Sequence, residues 1–241
     1  MNKICDLVLD SRLAKAKVGK IIIDNGHFDQ AFLRRGLKTY DLIYVFSQMD
    51  PEVLASFTSF DWVFAGVRIA FQSKLHSVIF PRIALTSKDF FKASDKTGLI
   101  DLAQDLFKQS RFHPDPHTHR LGKNIYTEWI KNSMSGQAAD TILVCRNLKG
   151  AVIGFVSVKK NNGFFEPVLL KVSDRYQGKG YGKKLMHKFF NYAASKDPRS
   201  PLLVNAMLHN TRALNFYHSL NLKVHDEQHV YHVYPKGFRN F

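Results

Sequence analysis

The sequence predicts an α/β protein: a small α/β unit over residues 1–84, then a larger mixed α/β domain over residues 85–241 that begins with an antiparallel meander. Three observations carry this reading. In the first third, runs of β-branched and aromatic residues alternate with segments of helical spacing. Beyond about Arg82 an amphipathic helix pair is followed by apolar runs joined at Lys149-Gly150 and Asn162-Gly163, two turn signals of hairpin type. A glycine loop, Gln177-Gly178-Lys179-Gly180-Tyr181-Gly182, then joins a strand to a helix.

In the leading unit the strands are "KVGKIIID" (from Lys17), "DLIYVFS" (from Asp41) and "DWVFAGVRIAF" (from Asp61). The helices between them are "HFDQAFLRRGLKTY" and "DPEVLASFTSF", where Asp50 suits the N-cap and Pro51 the first helical position. "DKTGLIDLAQDLFKQSRF" places Leu99, Leu102, Ala103, Leu106 and Phe107 on one helical face. A loop of His and Pro leads to a second helix, "NIYTEWIKNSM". "TILVCRN", "AVIGFVSVKK" and "FFEPVLLKVS" form the meander, and "KKLMHKFFNYAA" is the helix after the glycine loop. A strand "PLLVNAML", a helix "TRALNFYHSL" and a strand pair around "LKVHD" and "HVYHVYP" complete the chain.

Lys and Arg total 35 against 20 acids, a formal charge of +15 with His neutral. That excess suits polyanionic partners: nucleic acid, an anionic membrane surface or phosphorylated small molecules. No stretch reaches the roughly 18 apolar residues of a spanning helix, so membrane insertion is not expected. The basic N-terminus has its apolar run broken by Asp6 and Asp10 and makes a poor signal peptide. Cys5 and Cys145 are far apart with no CxxC spacing, and a cytoplasmic location is the expectation.

The glycine loop is built for an anion. Glycine lets the backbone turn sharply and bring N–H groups close to a ligand, and the helix that follows adds its N-terminal donors and partial positive charge. Lys179, Lys183 and Lys184 add full charges. The Walker A spacing GxxxxGK[ST] is absent, and neither Gly178 nor Gly180 begins a GxGxxG string. What remains is Q-x-x-G-x-G.

That string, with "HNTRALNFYHSL" some thirty residues on, resembles the GCN5-related N-acetyltransferase (GNAT) superfamily. There Q-x-x-G-x-G is the acetyl-CoA loop and N-x-x-A-x-x-F-Y a helix, matched here by Asn210, Ala213, Phe216 and Tyr217. The resemblance implies a largely antiparallel central sheet with splayed strands. "SRFHPDP" and "NIYTEWIKNSM" further resemble the dTDP-fucosamine acetyltransferases of surface-polysaccharide synthesis. By that resemblance residues 1–84 are a truncated acetyltransferase-like unit, and homodimers are common in the family, though no residue here points to one.

By the same resemblance, backbone N–H groups of Leu170, Lys171 and Val172 bind the pantetheine arm, and Gln177, Gly178, Lys179, Gly180, Tyr181 and Gly182 take the pyrophosphate. Tyr217 is the implied general acid on the leaving thiolate, with a core aromatic as its structural alternative. Asn210 fits a helix N-cap, to which the family adds a contact to coenzyme A, and Asn215 is a further candidate for that contact. Glu166 stands at the offset of the general base in the protein-acetylating branch, among apolar neighbours that would raise its pKa; Pro167 beside it, or a water chain in its stead, are the competing readings. In the acceptor site the resemblance places Arg111, Phe112, His113 and Arg120, with Tyr126 and Trp129 either lining the cleft or packing helix on helix. His113, His117 and His119 sit among prolines in a loop, so no metal is expected. Cys145 reads as a buried inert thiol, and direct transfer is expected.

The leading expectation is acetyl-CoA-dependent N-acetylation of a small amine on a dTDP-linked amino-dideoxy sugar. A protein or another amine as acceptor is the alternative within the fold. A basic nucleic-acid module is the alternative outside it, opposed by scattered basic residues and the lack of any nucleic-acid motif.

Overall fold

Along one face of a central sheet, helices carry the apolar stripes their sequences foretell; the other face holds the cleft. A computed structural model describes residues 3–23, 30–48, 51–78 and 80–239. Its strands are β1 (Cys5–Asp6), β2 (Val18–Ile23), β3 (Leu42–Ser47), β4 (Asp61–Lys74), β5 (Thr141–Arg146), β6 (Val152–Asn161), β7 (Phe164–Val172), β8 (Pro201–Met207) and β9 (Lys223–Tyr234). They form one sheet in the order β1-β2-β3-β9-β4-β8-β7-β6-β5. The helices are α1 (Val8–Ala14), α2 (Gln30–Gly36), α3 (Pro51–Ser56), α4 (Lys96–Gln104), α5 (His119–Met134), α6 (Tyr181–Lys196) and α7 (Thr211–Ser219). The Asp50 cap lies outside the described residues.

The meander β5–β6–β7 is antiparallel, as its two turns foretell. The mixed, splayed sheet of the expected fold is present. Three local expectations need correction. The C-terminal segment is one strand of 12 residues, not a pair, because nothing between Val224 and His229 can turn the chain and every residue but one finds a partner on β4. The helix predicted over "DKTGLIDLAQDLFKQSRF" runs only from Lys96 to Gln104 and tightens to 3-10 geometry through Gln109. The second helix starts at His119, so His119 and Arg120 leave the predicted loop.

β9 inserts between β3 and β4, while β4 also pairs with β8. Strands of the first third therefore share hydrogen bonds with the C-terminal region across the expected 84/85 boundary. This placement turns side chains of β2 and β4 toward the same sheet face as those of β8.

α6 buries Leu185, Met186, Phe189, Phe190 and Ala193 at helical spacing against Val156, Val158, Leu202 and Val204. The Leu, Met and Phe side chains each contribute about 1.5–3 kcal/mol on burial. Within that stripe Lys188 is buried but paired: Nζ reaches Asp89 Oδ1 at 2.7 Å and donates to the Val144 carbonyl at 2.5 Å. On the opposite face Phe112, Ile125 and Leu121 pack on Tyr44, Val230 and Tyr234. The loop before α5 is pinned there by Asp115, fully buried, whose Oδ2 accepts from His232 Nδ1 and the Tyr234 hydroxyl at 2.5 Å each. Burial lowers the His232 pKa and keeps it neutral, while these bonds outweigh burial and hold Asp115 ionised.

Candidate functional site

The site follows from a failure of pairing. β7 and β8 run parallel but meet in register only at Phe165 and Leu202. Beyond that pair they diverge, and Leu170 borders a cleft opened between them. Two cavities meet there, of about 1010 and 730 Å3. Both are lined by Leu106, Gln109, Leu170, Asn210, Ala213 and Tyr217, so they are two arms of one cleft.

The larger arm holds the glycine loop. Gly178 (φ 75°) and Gly180 (φ 82°) are left-handed, a conformation strained for any L side chain, and a Cβ at either would meet nothing within 4 Å. Their reason is backbone conformation beside open space. Gly182 has another: a Cβ there would come within 3.3 Å of Phe216, so its absence lets α6 approach α7. Gly180 caps α6, aiming that helix's free N–H groups and roughly half a positive charge at the loop. Gln177 supports the cradle, its Nε2 donating to the Val172 carbonyl (2.8 Å) and to Asp174 Oδ1 (2.7 Å), its Oε1 accepting from Arg212. Lys171 is tied to Asp174 at 2.9 Å and Asp105 at 3.5 Å. Asn210 caps α7 by accepting from the Ala213 N–H at 3.1 Å. An open cradle of amides at a helix N-terminus fits a pyrophosphate.

The smaller arm crosses the sheet from β7 to β2 and is lined by side chains. Lys20, Arg68 and Arg111 converge there from β2, β4 and the loop before α5. Arg68 and Lys20 each lie 4.8 Å from the Phe46 ring, and Arg111 sits 4.3 Å from Phe112 and 4.8 Å from Tyr44. Asp10 of α1 lies 3.9 Å from Arg111, and burial pushes its pKa upward. Burial, reinforced by the two neighbouring arginines, lowers Lys20 to about 8. A group that would ease all three cations is an anion.

Tyr217 stands where the arms join. Its ring packs edge-on against Phe71 (5.6 Å), and burial pushes its hydroxyl pKa well above the usual range, so the proton stays on at neutral pH. Of the residues singled out in the sequence, Leu170, Lys171, Val172, Gln177, Gly178, Gly180, Gly182, Asn210 and Tyr217 border the cleft on the loop side. Lys179 instead lies over the Tyr176 ring, Tyr181 packs on the same ring, and Asn215 borders neither arm. Arg111, Tyr126 and Trp129 line the sheet arm; Phe112 is fully buried behind them. His113 and Arg120 are exposed and border neither arm. Glu166 also borders neither; its Oε1 accepts from Asn161 Nδ2 at 2.7 Å.

Lys20, Arg68, Asp10 and Asn205 line the cleft without having been singled out. The available signal was a charge inside an otherwise apolar strand, as Arg68 is in "VFAGVRIAF". Among the described residues no group of three or more His, Cys, Asp or Glu is arranged to hold a metal ion, and no helix is long and apolar enough to cross a membrane.

The chain is 28% identical over 142 residues to the spore coat polysaccharide biosynthesis protein SpsD of Bacillus subtilis, covering 58% of this chain and 48% of that one. It is 29% identical over 124 residues to a dTDP-fucosamine acetyltransferase of Escherichia coli, covering 52% and 53%. The chain thus spans about half the length of these curated relatives. In fold it is similar to a GCN5-related N-acetyltransferase from Sphaerobacter thermophilus, with a TM-score of 0.62 at 9% identity over 100% of this chain and 78% of that one. A tandem GNAT protein from the clavulanic acid biosynthesis pathway superposes with a TM-score of 0.57 at 10% identity, over 92% and 76%. The model of the acetyltransferase (GNAT) family matches residues 100–221, half of the chain, from α4 through the glycine loop to the end of α7, and the protein belongs to that family.

Proposed function

We propose that the protein is an N-acetyltransferase that moves the acetyl group of acetyl-CoA directly onto the amine of a small anionic acceptor, a nucleotide-linked amino-dideoxy sugar. The convergence of Lys20, Arg68 and Arg111 in the arm that meets the glycine-loop arm at Tyr217 carries this reading. One arm suits the pyrophosphate of coenzyme A, the other a second phosphate-bearing molecule. Arginine suits the latter because its planar fork binds phosphate oxygens in pairs. The names of the two curated relatives, a polysaccharide-biosynthesis protein and a sugar acetyltransferase, support a sugar acceptor. On this reading residues 1–84 are the unit that receives the acceptor, since Asp10, Lys20 and Arg68 all come from it.

Chemically, the backbone of β7 at Leu170 to Val172 holds the thioester beside the cleft, and the neutral amine attacks its carbonyl carbon from the sheet arm. The C–N bond forms, the C–S bond breaks, and the departing sulfur takes the Tyr217 proton. The proton released from nitrogen leaves through water in the open sheet arm and returns the tyrosinate to Tyr217. Glu166, bonded to Asn161 outside both arms, is the less direct route for that proton.

The test is thiol release from acetyl-CoA across dTDP-4-amino sugars, aminoglycosides, polyamines and peptides. Turnover confined to peptides would overturn the sugar reading. Tyr217→Phe is expected to lower kcat by about 10²–10⁴ while KM for acetyl-CoA stays within twofold; an unchanged kcat removes the general-acid role.

A further inference from the structure

We propose that Asn205 is the residue that orients the acceptor amine for attack, an inference that rests on the acceptor reading of the sheet arm. Asn205 lies on β8 three positions past Leu202, the one residue of that strand in register with β7. It is therefore inside the splay. Across β8 it faces Ala70 of β4, and two positions on Met207 faces Arg68. Leu202 and Val204 turn toward α6, so alternation along the strand turns Asn205 and Met207 to the opposite face, into the sheet arm. Asn205 thus stands between the cation Arg68 and the β7 edge at Leu170.

The oxygen of the Asn205 amide is not used by the fold. Oδ1 is buried without a hydrogen-bond donor among the described residues. Other enclosed amides are used: Asn191 donates to the carbonyls of Pro81 and His187 and accepts from the Ile83 N–H, and Gln228 accepts from Arg68. A buried amide oxygen left unsatisfied is costly unless a ligand supplies the donor. Rotation about χ2 presents either the carbonyl or the NH2 to the cleft. The carbonyl accepts an amine N–H; with the nitrogen so held, its lone pair turns toward the thioester at β7. The amide takes no proton at neutral pH, so Asn205 orients the nucleophile and leaves deprotonation to solvent.

The test compares wild type with Asn205→Ala and the near-isosteric Asn205→Leu, using an amine the wild type acetylates. A 10- to 100-fold fall in kcat/KM for the acceptor is expected, with KM for acetyl-CoA within twofold and Tm unchanged or raised in at least one variant. A structural role predicts the reverse, a lower Tm with losses toward both substrates, and would overturn the proposal. So would variants with unaltered acceptor kcat/KM beside an active wild type, an outcome that leaves the acceptor reading standing. If acetyl-CoA raises the wild-type Tm but no amine in the panel is turned over, the acceptor reading itself fails and takes this inference with it.

Discussion

Along the glycine-loop arm the groups that face the cleft are mostly backbone: Gly178 and Gly180 in left-handed conformation, the N-terminus of α6 and the unpaired edge of β7. They come from one contiguous stretch of about a dozen residues. Along the sheet arm the groups that face the cleft are side chains, Lys20, Arg68, Arg111 and Asn205, contributed by β2, β4, β8 and a loop spread over most of the chain. Backbone amides bind any phosphate in the right place and are indifferent to most substitutions. A cluster of half-buried cations depends on each member, because each adds its own attraction to an anion held among them and removing one loses that share. The first arm suits a constant ligand, the second a particular one.

That contrast can be broken at both ends. The largest effect is expected for Gly180→Val, where a β-branched residue is forced to φ 82° in the cradle: acetyl-CoA affinity by calorimetry should fall about 100-fold. Lys179→Ala in the same loop should change it less than threefold, since its ammonium lies over Tyr176. Equal losses from the two would mean that charge, not backbone, builds this arm. Arg68→Met should lower kcat/KM for a phosphorylated acceptor about 30-fold with acetyl-CoA KM unaltered, on the scale of a lost charge-assisted pair; an unphosphorylated amine should lose far less. Smallest is the pH effect of Lys20. Its ammonium loses its proton as pH rises through about 8, so acceptor KM should rise a few-fold between pH 7 and 9. Lys20→Arg keeps its charge and should flatten that rise; a rise that persists assigns the titration elsewhere.

Local signals were legible because local geometry made them. Turn dipeptides such as Lys149-Gly150 and Asn162-Gly163 joined the meander strands. Asn210 capped α7, and α6 buried the stripe its spacing foretold. The C-terminal segment reads from the sequence as a strand pair around "LKVHD" and "HVYHVYP", yet pairing with β4 keeps it one extended strand across a bulge. His113 and Arg120, which the resemblance places in the acceptor site, are exposed and border neither arm, while Arg111 nearby turns inward onto Tyr44 and Phe112.

By itself the sequence determined the class of fold, the antiparallel meander and the glycine loop at the head of α6, since each depends on residues within a turn or two of one another. Only the tertiary structure decided the other half of the cleft. β9 had to come between β3 and β4 before Lys20 and Arg68 could stand on one face with Asn205. The spacing of those residues along the chain, up to 185 positions, carries no periodicity that a local pattern can register. Long-range strand order brings them together, and the polar lining they share becomes visible only when the sheet is assembled.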